Sequence, residues 1–281
     1  MTRLGGLIAI VRLTLLEALR RRVFTAALIA GGAFLCLYGI GLHFIVREQL
    51  SSATMTLIER RVTLNMLTLA GLFASNFLMI MMAVLLPVDT LSGEIASGVL
   101  QTVASRPIRR RDIVLGKWVG HWIVMTAYVA LLMGGVLGIT AALTHFTPPR
   151  VERGIPLMLL EGTVLLTLSI AGGARLSTVT NGILAFGLFG LAFIGNLVEQ
   201  IGTMADNAAA QQVGTIASLV MPSESLWQLA ASQMQPAILR DLGDTPFSPV
   251  SVPSVAMVWW AVGYIIVVLT LGVRWFRKRP L

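Results

Sequence analysis

The stretch DTLSGEIASGVLQTVASRPIRRRDIVLGK, residues 89–117, is a polar island in an otherwise apolar chain. Residues 62–88 before it and 118–149 after it contain no Lys, Arg, Asp or Glu. About 20 apolar residues suffice to cross a bilayer as a helix, so each flank is long enough to span one. The island then joins two spans. Its Arg106, Arg109, Arg110, Arg111 and Lys117 place it on the cytoplasmic side by the excess of basic residues that marks inside loops.

Within the island a helix is expected over 93–104. Ser92 is its expected cap, and Glu94 sits in the first turn, where a negative charge suits the helix dipole. Ile95, Val99, Leu100 and Val103 fall on one apolar face. Ser105-Arg106-Pro107 ends it, because the residue before proline is pushed away from helix. Pro107 fits the first turn of a second helix that continues through Ile113, Leu115 and Lys117 into the membrane.

The composition agrees with this frame. Hydrophobic residues make up 56% of the chain and charged ones 12%, against about 25% charged in a soluble domain. Six apolar runs read as spans, at about 23–46, 62–87, 118–143, 156–174, 182–198 and 254–273. Of the 21 Lys and Arg, fifteen lie on one side of this arrangement: five before the first span, five in the island, Arg175, and four in the tail. Six lie on the other side, so both termini are expected in the cytoplasm. The net charge of +8 is thereby a matter of topology and anionic lipid, not of nucleic acid. Cys36 is the single cysteine, which excludes an internal disulfide and a cysteine metal framework.

Outside the spans, residues 1–22 show an apolar stripe of Leu4, Leu7, Ile8, Val11, Leu15 and Leu19. They read as an amphipathic helix in the membrane interface, the alternative being an extension of the first span. Residues 199–252 carry five acids against one basic residue and read as an external cap of short helices, able to dip into the membrane. Ser223 is expected to cap one of them, over 224–234. The expected fold is therefore all-α, a single transmembrane domain over 1–281 with six transmembrane helices, an interfacial helix, the island helix and the cap.

Catalytic patterns are missing. There is no G-x-x-x-x-G-K-[ST] loop to cradle phosphate, no H-E-x-x-H, and no serine with glycine two residues before it. No cofactor is expected. Met79, Met81 and Met82 cluster in the second span, but adjacent methionines on a helix point apart and read as packing. Glu161 stands alone in the fourth span, where a carboxylate must face protein or water; it reads either as a pathway or gate residue or as an interfacial carboxylate reaching headgroups.

Gly93-Glu94, Gly98-Val99-Leu100, Ser105-Arg106-Pro107-Ile108-Arg109 and Gly116-Lys117 together resemble the cytoplasmic loop of type-2 ABC transporter permeases. Val99 and Arg109 depart from the commonest letters of that pattern. The resemblance implies the membrane subunit of an exporter-like ATP-binding-cassette system in the cell membrane. Its partners would be two copies of a separate ATPase and a second or related permease. The chain itself would be no enzyme. The coupling residues it implies are Asp89, Gly93, Glu94, Ile95, Gly98, Val99, Val103, Arg106, Pro107, Arg109, Arg110, Gly116 and Lys117. The alternatives are an ATP-independent transporter or channel, and a membrane scaffold subunit. A secondary transporter would require several buried ionisable residues, of which the sequence offers Glu161 alone.

Overall fold

A computed structural model describes residues 3–48, 56–97, 109–236 and 252–279. These form ten helices and no strand: α1 (Arg3–Arg20), α2 (Arg22–Glu48), α3 (Leu57–Leu85), α4 (Ser92–Ala96), α5 (Arg110–Thr144), α6 (Val151–Gly173), α7 (Thr178–Met204), α8 (Ala208–Val220), α9 (Ser223–Met234) and α10 (Ala256–Lys278). Six of them, α2, α3, α5, α6, α7 and α10, are long and apolar enough to cross a membrane, as the six runs in the sequence predict.

Local chemistry sets the helix ends. Thr56 and Glu59 form a reciprocal capping box at the start of α3. His145 takes the left-handed conformation, φ 54°, and stops α5; Arg150, φ 50°, opens α6. The side chain of Ser177 caps α7 and that of Asn207 caps α8. Pro222 follows directly on Met221, the C-cap of α8, and α9 starts at once.

The core is built around α6, which is buried continuously from Glu161 to Ala174. Gly162 brings it against Met79 of α3 and Met125 of α5. Trp118 and Trp122 of α5 donate to Thr167 and Thr163 of α6 at 2.8 and 3.1 Å. The methionine cluster is thus partly core packing, with Met79 and Met82 buried. At the rim, α2 and α10 turn Ile29, Leu37, Ile40, Trp259, Ile266 and Val267 outward. Cys36 is also exposed there. Apolar residues facing out and polar ones facing in is the arrangement a lipid solvent demands.

The face of α1 that packs most tightly lies beside the apolar stripe, of which Leu15 packs against the core. Ile10, Thr14 and Ala18 are buried, while Ile8, Leu13, Leu16 and Leu19 are exposed. The reason lies in α5: Gly116 and Gly120 leave grooves that Ile10 and Thr14 fill, so small contacts choose the packed face. The rising register, Ile10 on Gly116 and Thr14 on Gly120, lays α1 alongside α5 in the same direction. In its described part, the segment read as a cap able to dip into the membrane holds two short helices. Helix α8 folds back antiparallel along α7, and α9 returns through the interior against α6. Along α9 every residue from Ser223 to Ser232 is buried. Its helix is not capped by Ser223, whose hydroxyl is buried without a partner among the described residues.

The α7–α8 hairpin depends on residues without side chains. A Cβ at Gly195 would collide with that of Ala217, and one at Gly202 with that of Ala210. By contrast, nothing lies within 4 Å of a Cβ at Gly190 on the same helix. Gly195→Val should destabilise the purified protein by about 1–3 kcal/mol, the usual cost of overpacking, seen as a lower melting temperature. Gly190→Val should leave that temperature nearly unchanged.

Candidate functional site

The island begins with a short helix, and residues 98–104 of the helix expected over 93–104 lie outside the described residues. Helix α4 covers Ser92–Ala96, its N-cap is Leu91, and no side chain caps it. The Ser92 hydroxyl instead donates to the carbonyl of Val88 at 3.2 Å and meets the Thr178 hydroxyl at 2.8 Å. Gly98, Val99, Val103, Arg106 and Pro107 lie outside the described residues, as does most of the expected apolar face. Of that face Ile95 is described, and it packs against the core.

Around α4, charges of alternating sign converge from three elements. Arg21, at the bend between α1 and α2, hydrogen-bonds Glu17 at 2.5 Å and also binds Asp89. Lys117 of α5 binds Glu94 of α4 and lies 3.9 Å from Glu17. Lys117 is nearly fully buried, its side chain 5% exposed, and the Glu94 side chain is 16% exposed. Burial pushes the Glu94 carboxyl above its ordinary value, with Lys117 acting against that shift. For Glu17 burial pulls upward too, but the hydrogen bond from Arg21 and the charges of Lys117 and Arg21 outweigh it, and the carboxyl is held below its ordinary value. One turn on, His121 bonds the Lys117 carbonyl through Nδ1 at 2.8 Å. Its Nε2 lies 3.3 Å from the Thr90 hydroxyl. A groove of about 640 Å³, lined by residues of α1, α4 and α5 including Glu17, Glu94 and Lys117, runs beside this cluster.

The basic residues of the island sit a little further out. Arg109 is the N-cap of α5 and is exposed. Arg110 donates to the carbonyls of Arg277 and Arg279 at 3.2 and 2.7 Å. Arg279 in turn donates to Ala174 at 3.0 Å. The C-terminal end of α10 is thus tied to the start of α5 and the end of α6. Gly116 serves packing with α1, as described above. Gly93 approaches only Asp89, at an ordinary 3.5 Å from an added Cβ.

Glu161 lies far from this cluster along α6. It is the eleventh residue of a 23-residue helix and has no exposed surface, so it is no interfacial carboxylate reaching headgroups. Asn76 of α3 donates to its Oε2 at 3.0 Å, while Oε1 has no partner among the described residues. A second acid is close: Glu224, at the start of α9, is near enough for its charge to act on Glu161. Asn196 of α7 donates to Glu224 at 3.0 Å, and Gln228 donates to Asn196. Sequence reading missed Glu224 because it counted the residue among external acids. It also missed Glu17 and Arg21, whose partners come from elements distant in sequence.

Six membrane-length helices, a buried polar seam inside them and a charged cluster at one end define a multi-pass transport protein of the permease class. The whole-chain comparison agrees. Residues 9–281 match the family described as ABC-2 family transporter protein, and the chain belongs to that family. It is thus a membrane permease of an ABC transporter; family members are membrane subunits that are not themselves enzymes, and membership implies an ABC ATPase as partner. No curated protein matches the chain.

The Glu94–Lys117 pair yields a test. Lys117→Met should destabilise the protein by about 2–4 kcal/mol, because it leaves the largely buried Glu94 carboxylate without its cation while Glu17 keeps Arg21. Adding Glu94→Gln to Lys117→Met should recover much of that loss. Thermal unfolding of the three purified variants checks both outcomes.

Proposed function

We propose that this chain forms an export pathway with a second permease copy and is driven through its island by a separate ABC ATPase. The island and both termini lie in the cytoplasm in this reading, and two ATPase copies dock on residues 93–110. The observation that carries it is the buried ion pair between Glu94 and Lys117. It fastens the first turn of the island to a 35-residue helix, α5, that reaches the far side of the bundle. Arg21 fastens Asp89 to the junction of α1 and α2 in the same way. A push on the island is then transmitted to α1 and α5 instead of being absorbed in a loop. Asp89, Gly93, Glu94, Ile95, Gly98, Val99, Val103, Arg106, Pro107, Arg109, Arg110, Gly116 and Lys117 make up the coupling element. Val99 offers an apolar contact, and the arginines offer charge pairing at its rim, where single charges contribute modestly.

Co-expression with an ABC ATPase encoded beside this chain should give a complex with two copies of each. Val99→Asp should weaken it most, since it would bury an unpaired charge. Equal co-purification after residues 93–110 are replaced by a Gly-Ser linker would contradict the coupling role. For orientation, single cysteines at the exposed positions Ser97 and Ala205 are placed in a Cys36→Ser background. An impermeant thiol reagent added outside intact cells should label the Ala205 position and spare Ser97; the reverse result would invert the topology.

A further inference from the structure

Among the described residues the buried acids are Glu161 and Glu224, whereas the half-buried Glu17 and Glu94 each meet a cation. Among the described residues neither Glu161 nor Glu224 forms an ion pair, although Glu161 has no exposure and Glu224 is 6% exposed. The amide donors nearby are already used: Asn76 Nδ2 serves Glu161, Asn196 Nδ2 serves Glu224, and Gln228 Nε2 serves Asn196. Glu161 Oε1 and Asn76 Oδ1 are buried acceptors without a partner among the described residues. The start of α9 offsets part of the Glu224 charge, by the half-charge of a helix N-terminus. A carboxyl buried in an apolar setting either takes up a proton or is met by a positive group, and a cation bound here would supply the second.

The space beside them is shaped for a particular kind of cation. A cavity of about 200 Å³ is lined by Asn76, Glu224, Ile80 and four phenylalanines, Phe73, Phe77, Phe189 and Phe193. Aromatic faces attract cations, most strongly where water is excluded. A hard metal ion needs six or more oxygen ligands, which this wall of rings does not offer. Phe77 is 48% exposed, so the cavity reaches the lateral surface of the chain.

We propose that this cavity, lined by Glu224 and by Asn76 with Glu161 hydrogen-bonded behind it, binds a small lipophilic organic cation such as an alkyl or aryl ammonium. The proposal rests on the permease reading in taking this cation as cargo. Binding itself needs neither ATP nor partner, so its failure would leave the permease assignment standing.

The test uses the full-length chain in lipid nanodiscs and tritiated benzyltrimethylammonium, whose charge does not titrate. Saturable binding is expected. Glu224→Gln should weaken it about tenfold or more, the scale of one lost charge-assisted contact, and Glu161→Gln, one layer behind Asn76, should weaken it less. Neopentylbenzene, the neutral isostere, should not compete. No saturable binding, or binding that both Gln variants retain in full, would overturn the proposal. Equal competition by the neutral isostere would reduce the site to an apolar hollow and overturn it too. Displacement by millimolar sodium or potassium would reassign it to an inorganic ion and overturn the organic class. If the Gln variants do not yield folded protein, Phe193→Leu decides: weaker binding supports the aromatic site, and unchanged binding contradicts it.

Discussion

A lysine at the edge of an apolar run cannot stay buried without a counter-charge, and much of the island end follows from that rule. Lys117 sits where α5 enters the bundle, one residue before the uncharged run begins. Its partner Glu94 comes from α4 and its near neighbour Glu17 from α1. Because both acids must stay close, α1 and α4 are held against α5. Gly116 and Gly120 make that approach sterically open to Ile10 and Thr14. Electrostatics and packing therefore select the same arrangement, and the island is joined mechanically to the helices it would have to move.

The interior obeys the complementary rule. Lipid satisfies no hydrogen bond, so polar side chains of α3, α6, α7 and α9 find one another. Asn65 donates to Met234 at 3.1 Å, and Asn181 donates to Ser169 and Val88 at 2.7 and 3.1 Å. These bonds fix where α9 ends and how α6 meets α7. Within the interior, Glu224 and Gln228 of α9 meet the side chain of Asn196 on α7. The exception is the Glu161–Glu224 region, where acceptors outnumber donors.

Much of the architecture was legible in the sequence. The six spans follow from charge-free runs bounded by Arg22, the island, the Pro148-Pro149 turn and the tail, and hydropathy alone finds them. The island stood out for the same reason. The packed face of α1 was not legible, because Ile10, Thr14 and Ala18 are selected by glycines a hundred residues away. Nor was the position of α9. Its sequence is polar by average, and averages cannot tell a surface helix from one whose polar groups are matched inside. Glu161 could be singled out because it was the lone charge in an apolar run. Glu224 could not, because its neighbours in sequence are polar and its partner Asn196 sits on another helix. Ser92 looked like a cap by type, but its hydroxyl is held by Val88 and Thr178, which local sequence does not reveal.

The central claim is that the Glu94–Lys117 pair holds the island helix in a fixed relation to α5. The most direct measurement is the distance distribution between nitroxides at Ser97 and Leu131, both exposed, by pulsed electron–electron resonance in a Cys36→Ser background. The account predicts a single narrow distribution in the otherwise native chain and a broadened one after Lys117→Met. An equally narrow distribution in Lys117→Met, unchanged in its mean, would show that the ion pair does not position the island and would contradict the account.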